Sequence, residues 1–257
     1  MLLFFVLKIA FDRKIQNKKL RPARIRVLKM KRHFKTLAMV MTCMAMALCV
    51  SCKKDDNNEP SGGHEYVDLG LPSGLLWATC NVGADKPEDY GDYFAWGETA
   101  TKASYSWDTY QWCNGSYNNL TKYNSDPDYG TVDDKTMLEP ADDAAHVNWG
   151  GGWRMPTLDE LEELEDNCTW EWTAQDGKDG YRVTGSNGNS IFLPAAGCYY
   201  GDSISYAGSF GYYWSSSHGD GLPFGSYDLG FDSAYLGTNS YDRYYGHSVR
   251  PVCQPRN

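Results

Sequence analysis

The sequence predicts an α+β domain of short, mostly antiparallel strands, one or two helices and long irregular loops. Aromatic residues are abundant, with 19 Tyr, 9 Trp and 9 Phe in 257 residues, and long aliphatic runs are nearly absent after residue 50. Short aromatic runs alternate with Gly, Asn and Asp turn residues, and one amphipathic helical segment lies at about 157–167. These observations favour a loop-rich domain with an aromatic core over a helical bundle or a continuous parallel sheet.

The first fifty residues differ in kind from the rest. Residues 1–29 combine a short apolar start with a basic run, and the apolar part is too short to span a bilayer. We expect residues 1–29 to be a non-functional upstream extension. Residues 30–51 have a charged start, an apolar centre over 37–50 and Ser51 before Cys52. This pattern resembles a bacterial lipoprotein signal and predicts lipidation at Cys52. An ordinary secretory signal or a short membrane anchor are the alternatives.

A polar segment separates the signal from the folded part. Residues 52–63 contain Lys, Asp, Asn, Glu, Pro and Gly, which cannot form a core, and we predict a flexible tether. Lysines followed by acids after the cysteine resemble the surface-export signal of Bacteroidetes lipoproteins, although a solvated linker has a similar composition. The expected location is the outer membrane, exposed at the cell surface, with residues 64–257 as the binding domain.

Charge is divided unequally along the chain. Residues 1–54 carry 14 Lys and Arg against one acid, whereas residues 55–257 carry 10 Lys and Arg against 32 acids. An acidic surface repels phosphate backbones, so we exclude nucleic acid as a partner and expect membrane contact only through the lipid anchor.

Turn residues and apolar periodicity place the elements of the folded part. Two short strands are predicted around the Pro-Ser-Gly turn at 72–74, an aromatic strand at 90–96, and loops packed by their own aromatics at 100–135. A helical turn is expected near 142–147. Thr157 followed by Glu160 forms a capping box that predicts the helix at 157–167, and strands are predicted at 170–172, 180–184 and 190–194.

The stretch 211–252 has the composition of an adaptable binding surface. It is rich in Tyr, Ser, Gly, Asn and Asp, and it offers few residues that would form a core. Tyrosine provides a large contact area at low entropy cost, while Ser, Gly and Asn provide flexible hydrogen bonding. A glycine-rich loop without function would have a similar composition.

Three motifs, in order, carry a family resemblance over about residues 64–253. Gly152-Trp-Arg-Met-Pro-Thr157 with its acidic helix resembles an element of the formylglycine-generating-enzyme branch of the C-type lectin fold. Gly211-Tyr-Tyr-Trp-Ser-Ser216 and Tyr245-Gly-His-Ser-Val-Arg-Pro-Val252 are similar to closing motifs of the Fibrobacter succinogenes major paralogous domain. Variable proteins of diversity-generating retroelements have similar endings. The resemblance implies a C-type-lectin-like fold with paired terminal strands and a loop-rich face that binds ligand.

The retroelement resemblance also implies a variable tract. Residues 217–248 lack Lys, Glu, Gln, Met and Trp, which adenine-directed diversification of AAC/AAT-type codons cannot produce. Loop composition alone would also lower Lys and Met. Within the tract, period-two alternation assigns Leu229, Phe231 and Leu236 to the framework. The remaining candidates are expected to face the ligand: His218, Asp220, Phe224, Asp228, Asp232, Tyr235, Tyr241 and Asp242.

The spacing of the cysteines bears on the enzyme alternative. Formylglycine-generating enzymes use a pair of reactive cysteines that bind copper, whereas Cys80, Cys113, Cys168, Cys198 and Cys253 are far apart in this sequence and none is beside a His. We therefore expect no enzymatic activity. The adjoining terminal strands that the resemblance implies favour a Cys80–Cys253 disulfide, while small buried thiols are an equal alternative.

No cofactor is expected, although calcium is left open as an alternative. Asp126, Asp128, Asp133 and Asp134 form one acidic cluster, and Asp220 with Asp228 and Asp232 forms another. Neither matches a twelve-residue calcium loop, and no two histidines have a metal-ligand spacing.

The leading hypothesis is a surface-anchored lipoprotein that binds a protein or glycan ligand through the face at 217–242. A formylglycine-generating-type oxidase or sulfatase-maturing enzyme is the first alternative, and a structural envelope protein is the second.

Overall fold

The computed structural model describes residues 63–219 and 221–255. The predicted extension at 1–29, the export signal at 30–51, the lipidation site Cys52, nearly all of the tether and Asp220 lie outside the described residues. Within the described ranges, no helix has the length and apolar character needed to cross a membrane.

The first and last described strands form one small sheet. Strands β1 (Tyr66–Asp68) and β2 (Leu76–Ala78) are antiparallel and flank the predicted turn, and β11 (Val252–Cys253) pairs with the other edge of β2. Trp77 is opposite both Val67 and Val252, so its buried side chain lies at the centre of this sheet. The two predicted N-terminal strands are confirmed.

The predicted aromatic strand at 90–96 is wrong. Only Phe94 forms a bridge, with His247, and no ladder extends from it. Gly91 and Gly97 have φ values of +72° and +78°, which turn the chain on both sides. The four residues 93–96 are all buried, so this segment lies in the interior without the alternation of a half-exposed strand.

The loop prediction for residues 100–135 is confirmed. Two short 3₁₀ turns, Trp107–Thr109 and Pro127–Tyr129, are the helical elements there. Buried tyrosines hold the loops to the rest of the domain through their hydroxyl groups: Tyr110 donates to the Trp96 carbonyl at 2.8 Å, and Tyr123 donates to Asp142. The loops are therefore fixed by aromatic burial and local hydrogen bonds.

Helix α1 (Ala144–Trp149) and helix α2 (Leu158–Asn167) match the two helical predictions. Thr157 Oγ1 accepts the Glu160 backbone N–H, and Glu160 accepts the Thr157 N–H, which is the predicted capping box. Arg154 forms a bidentate pair with the same Glu160 carboxylate at 2.6 and 2.7 Å. The helix start is thus joined to the motif before it, and Leu161 and Leu164 face the core.

A three-stranded antiparallel sheet follows the helix. It contains β3 (Thr169–Gln175), β4 (Lys178–Thr184) and β5 (Ser190–Pro194), as the sequence predicts. Asp176 and Gly177 form the β3–β4 turn with positive φ values of 47° and 79°, the type I′ geometry that suits the twist of a hairpin. A hairpin of β6 (Cys198–Tyr200) and β7 (Ser203–Ser205) comes next.

The C-terminal stretch forms a central sheet, contrary to the expectation that it holds little core. Strands β8 (Gly211–His218), β9 (Gly225–Asp232) and β10 (Tyr235–Asp242) are antiparallel, with β9 in the middle. The inner face carries Tyr213, Leu229 and Phe231, which pack with the helix α2 leucines in the main core. The framework assignment of Leu229 and Phe231 is confirmed, and Leu236 packs against the same core.

Two buried arginines join distant segments. Arg250 donates to Asn81 Oδ1 and to the carbonyls of Ala78, Thr79 and Phe192 at 2.9–3.1 Å. Arg243 donates to the carbonyls of Lys122 and Tyr123. Because neutral oxygens accept these bonds, the closing motif around Arg250 has a structural role in joining β2 to β5.

The predicted Cys80–Cys253 disulfide is wrong, since these two cysteines are not bonded to each other. The terminal strands do adjoin, but the register places Cys253 opposite Leu76. Cys80 lies four residues beyond Leu76, so the thiols are offset by roughly 13 Å along the strands. That offset exceeds the spacing that a disulfide spans.

Candidate functional site

The outer face of the central sheet, turned away from the core, carries most of the predicted binding residues. The register pairs Trp214 with Asp228, Asp228 with Asn239, and Tyr235 with Asp232. Cross-strand partners lie on the same face, and side chains alternate along each strand. Asp228, Asp232, Tyr235 and Tyr241 therefore do share one face, as the sequence predicts.

Asp228 is nevertheless not a surface residue, and its assignment to the ligand face is wrong. The segment 243–250 covers the β8–β9 part of the outer face, and His247 stacks on Trp214 with ring centroids 4.0 Å apart. Asp228 and His247 are both 0% exposed, with Oδ2 and Nδ1 separated by 3.3 Å without the alignment of a hydrogen bond. Burial raises the pKa of Asp228 and lowers the pKa of His247, so we assign a protonated, neutral Asp228 carboxyl and a neutral His247 ring.

His218 also has an internal role. Its Nε2 lies 3.1 Å from the Pro223 carbonyl oxygen, and its ring meets the edge of Trp96. Burial, followed by the nearby Arg243 guanidinium, lowers the pKa of His218 to about 4, so the ring is neutral at pH 7. A half-buried neutral imidazole that contacts the backbone of its own loop shapes that loop.

Tyr235 and Asp232 lie together at the β9–β10 turn. Tyr235 is 37% exposed and donates its hydroxyl to Asn239 Oδ1 at 2.8 Å. Asp232 is half-buried, and its Oδ1 accepts the Ala234 N–H at 2.7 Å, which holds the turn. A shallow cleft of about 500 Å³ borders this turn and is lined by Trp172, Asp179, Gly208, Ser209, Phe210, Asp232, Ser233 and Ala234.

Phe224 and Tyr241 belong to a continuous chain of rings that the sequence did not predict. Phe224 contacts Tyr117 at 5.2 Å between centroids, Tyr129 at 5.7 Å and Trp107 at 6.3 Å. Trp107 then contacts Tyr244 at 5.0 Å. We call the complete set the aromatic strip: Trp107, Tyr117, Tyr129, Tyr200, Phe224, Tyr241, Tyr244 and Tyr245.

The second half of the aromatic strip leads back to the central sheet. Tyr244 stacks on Tyr245 at 4.6 Å, and Tyr245 contacts both Tyr200 at 5.4 Å and Tyr241 at 6.1 Å. Tyr117 and Tyr200 are each 45% exposed, whereas Tyr244 and Tyr245, which both contact Tyr200, are buried. Buried rings thus support outer rings that are open to solvent, which limits the entropy lost when a ligand contacts them.

Of the eight residues in the aromatic strip, only Phe224 and Tyr241 were predicted from the sequence to face the ligand. Trp107, Tyr117 and Tyr129 lie in the loops at 100–135, which the sequence assigned to packing among themselves, and Tyr200 ends β6. Composition indicated that these loops are aromatic, but nothing in the sequence distinguished inward rings such as Tyr123 from outward ones such as Tyr117. The tertiary contact with Phe224 provides that distinction.

Four of the described cysteines lie in environments that suppress the thiolate form. Burial raises the pKa of Cys198 to about 12 and that of Cys168 to about 11, and it also raises the pKa values of Cys80 and Cys113. A thiol with a raised pKa is a poor nucleophile and a poor metal ligand. These environments disfavour the oxidase alternative.

The calcium candidates do not converge in the described ranges. There, no three His, Cys, Asp or Glu side chains form a group that could hold a metal ion. Asp133 accepts the backbone N–H groups of Tyr123 and Asn124 at 3.0 Å, and Asp126 accepts that of Asp128. Both carboxylates therefore organise their own loops.

The comparison with family models finds one match, to a family described as a domain of unknown function (DUF8237), over residues 159–252. The matched segment starts in helix α2, includes the central sheet and ends at β11, and it excludes the loops that provide Trp107, Tyr117 and Tyr129. Comparisons with curated proteins and with solved structures find no match. Over its C-terminal part, the chain is similar to this family, whose description assigns no activity.

Proposed function

We propose that this protein is a non-enzymatic binding protein, lipid-anchored at the outer surface of the cell, that holds a protein or glycan ligand on the aromatic strip. The observation that carries the proposal is the strip itself. Exposed and half-buried Tyr, Trp and Phe rings from four separate segments meet beside the buried rings of Tyr244 and Tyr245. Aromatic anchors of this kind dominate the energetics of binding surfaces.

The proposed fold is C-type-lectin-like. Three features support it: the terminal sheet in which β11 joins β1 and β2, the two short helices, and the long loops between β2 and helix α1. In this proposal the loops and the outer edge of the central sheet form the ligand face, as the family resemblance implies.

The ligand face differs from the one that the sequence predicted. It retains Phe224, Tyr235, Tyr241 and Asp242, and it adds the loop aromatics. If the tract at 217–248 is diversified, as in retroelement variable proteins, we expect variation at exposed positions such as Leu222 and Tyr235. Positions such as Asp228 and Phe231 should stay constant because they are buried.

Binding can be tested with the full chain purified in detergent and applied to arrays of host and bacterial surface proteins and glycans. Tyr117→Ala, Phe224→Ala and Tyr241→Ala in one variant should reduce capture by at least about tenfold, because each removes a ring from the aromatic strip. Tyr90→Ala is the control, since this half-buried tyrosine lies outside the strip beneath Lys178. Full capture by the triple variant would contradict the proposed face.

Anchoring can be tested in cells. Cys52→Ser should abolish incorporation of labelled fatty acid and release the protein from the membrane fraction, because the proposed acylation site is lost. Cys49→Ser is the matched control in the same segment. Retained acylation of the Cys52→Ser variant would contradict the lipoprotein assignment.

A further inference from the structure

Exposed aspartates are close in sequence to ring residues of the aromatic strip. Asp108 follows Trp107, Asp128 precedes Tyr129, and Asp202 lies two residues after Tyr200, and all three aspartates are exposed. Asp242 follows Tyr241. The Tyr245 backbone N–H donates to the Asp242 carbonyl at 3.1 Å, and burial raises the pKa values of Tyr244 and Tyr245, with a smaller contribution from the Asp242 carboxylate. Four segments that provide rings therefore also provide a carboxylate.

Cationic side chains beside the strip are already engaged. Lys102 Nζ lies 2.8 Å from Glu98 Oε2 and over the rings of Tyr105 and Tyr110. The Arg243 guanidinium is fully buried against Trp96. Within 63–219 and 221–255, no ion pair involves Asp108, Asp128 or Asp202. The negative charge around the rings is thus not neutralised by these described cations.

We infer that the partner of the aromatic strip is a polypeptide segment rich in Lys and Arg. This inference rests on the proposed binding function and specifies its ligand class. Tyr and Trp faces attract guanidinium and ammonium groups through the ring quadrupole, and the Asp carboxylates form charge-assisted hydrogen bonds with the same groups. A segment rich in Lys and Arg therefore supplies groups that suit both the rings and the carboxylates.

The charge of the domain acts in the same direction. Residues 55–257 carry 10 Lys and Arg against 32 acids, so the long-range field accelerates association with a cationic segment and repels anionic ones. Sialylated or phosphorylated ligands are disfavoured for the same reason. Neutral glycans would gain binding affinity from contacts with the rings but no charge attraction from the carboxylates.

The test measures fluorescence anisotropy of labelled peptides with the full chain in detergent. The probes are peptides of alternating Arg and Ser, of alternating Gln and Ser, and of alternating Asp and Ser. The Arg peptide should bind at least about tenfold more tightly than the Gln peptide, and the Asp peptide should not bind. Raising the salt concentration from about 50 mM to about 500 mM should lower the affinity for the Arg peptide by about tenfold or more, because exposed charges are screened.

Charge-neutralising variants test whether the aspartates near the aromatic strip cause the preference for the Arg peptide. Changing Asp108→Asn, Asp128→Asn and Asp202→Asn together should weaken the Arg peptide by about tenfold and flatten its salt dependence. The matched control is Glu162→Gln, Asp166→Asn and Asp176→Asn, which are exposed acids in segments that provide no ring to the strip. This control removes the same charge and should change the affinity by less than about twofold.

Each outcome decides between the two levels of the proposal. Equal binding of the Arg and Gln peptides, or equal loss in the two triple variants, would overturn the cationic partner. If the Asn variant binds an array ligand normally while the triple Ala variant loses it, the aromatic strip is the binding surface and only the ligand class is wrong. If neither variant affects capture, the proposed function itself fails.

Discussion

The two halves of the outer face of the central sheet are built from the same residue types but differ in access to solvent. Around β8 and β9, Tyr212, Trp214 and Asp228 are buried beneath the segment 243–250, whose His247 is also fully buried. Along β10, Tyr235, Asn239 and Tyr241 are exposed or half-buried and lead into the aromatic strip. We refer to these as the sealed half and the open half.

The difference shows that a composition rich in Tyr, Ser, Gly and Asp does not by itself identify a binding surface. In the sealed half, aromatic rings and a neutral Asp–His pair hold the closing segment to the sheet. In the open half, similar residues lack such a cover. Whether solvent reaches a residue of the sheet depends on whether another segment of the chain covers it. The sequence of the sheet strands does not show directly where that segment lies.

The largest contrast is expected between Trp214 and Tyr235. Trp214 is fully buried, stacks on His247 and donates Nε1–H to the Phe94 carbonyl at 2.8 Å, so Trp214→Ala should cost about 4 kcal/mol of unfolding free energy. Tyr235→Ala should cost less than about 1 kcal/mol because the ring is partly solvated. Urea denaturation measures both, and equal costs would remove the distinction between the halves.

A second contrast concerns two arginines. Arg250→Met should cost about 3 kcal/mol, because it leaves the carbonyls of Ala78, Thr79 and Phe192 without their buried donor. Arg182→Met should cost less than about 0.5 kcal/mol, since its ion pair with Glu171 is exposed and spans 3.4 Å. Thermal unfolding can rank the two variants. A stable Arg250→Met protein would show that the closing motif is free for a binding role.

The Asp228–His247 pair predicts a pH dependence. The folded pair keeps one proton because burial raises the pKa of Asp228, whereas in the unfolded chain the carboxyl is ionised and His deprotonates near 6.5. Above about pH 6.5 the folded state therefore binds one proton more. Its stability should fall by about 1.4 kcal/mol per pH unit until the pair loses that proton.

Asp228→Asn should make the slope just above about pH 6.5 less negative by about one proton, as measured by urea denaturation at several pH values. Asp232→Asn on the same face is the control and should leave the slope of the unaltered protein. An Asp228→Asn variant with an unchanged slope would show that the pair is charged in the folded protein.

The smallest effect on stability is expected in the aromatic strip. Tyr117 is 45% exposed, so Tyr117→Ala should change the unfolding free energy by less than about 0.5 kcal/mol while it weakens ligand capture. Tyr110→Ala in the same loops is the comparison, because this ring is buried and should cost about 3 kcal/mol or more. If both substitutions destabilise the protein equally, Tyr117 belongs to the core.

Local signals in the sequence predicted the elements well. The capping box at Thr157 and Glu160, the Asp176-Gly177 turn and the period-two pattern around Leu229 and Phe231 act within a few residues, and each element was found. The segment at 90–96 was mistaken for a strand because its aromatic content suits strands, whereas the flanking glycines turn the chain.

The site could be predicted only in part, because it depends on contacts between distant segments. Phe224, Tyr235 and Tyr241 were found from composition, but Asp228 was assigned to the wrong environment because it alternates correctly with Leu229. Its cover, His247, arrives from a later segment. Trp107 and Tyr117 were missed because their contact with Phe224 spans more than one hundred residues.

The order of the terminal sheet has a consequence for biosynthesis. Strand β2 lies between β1 and β11 in the terminal sheet. Because β11 is translated long after β2, one edge of β2 stays unpaired until nearly the whole domain has been synthesised. Arg250, which joins the same strand to β5, is also translated late. The N-terminal hairpin should therefore remain unstable on a nascent chain, and stable folding should follow release from the ribosome or the export machinery.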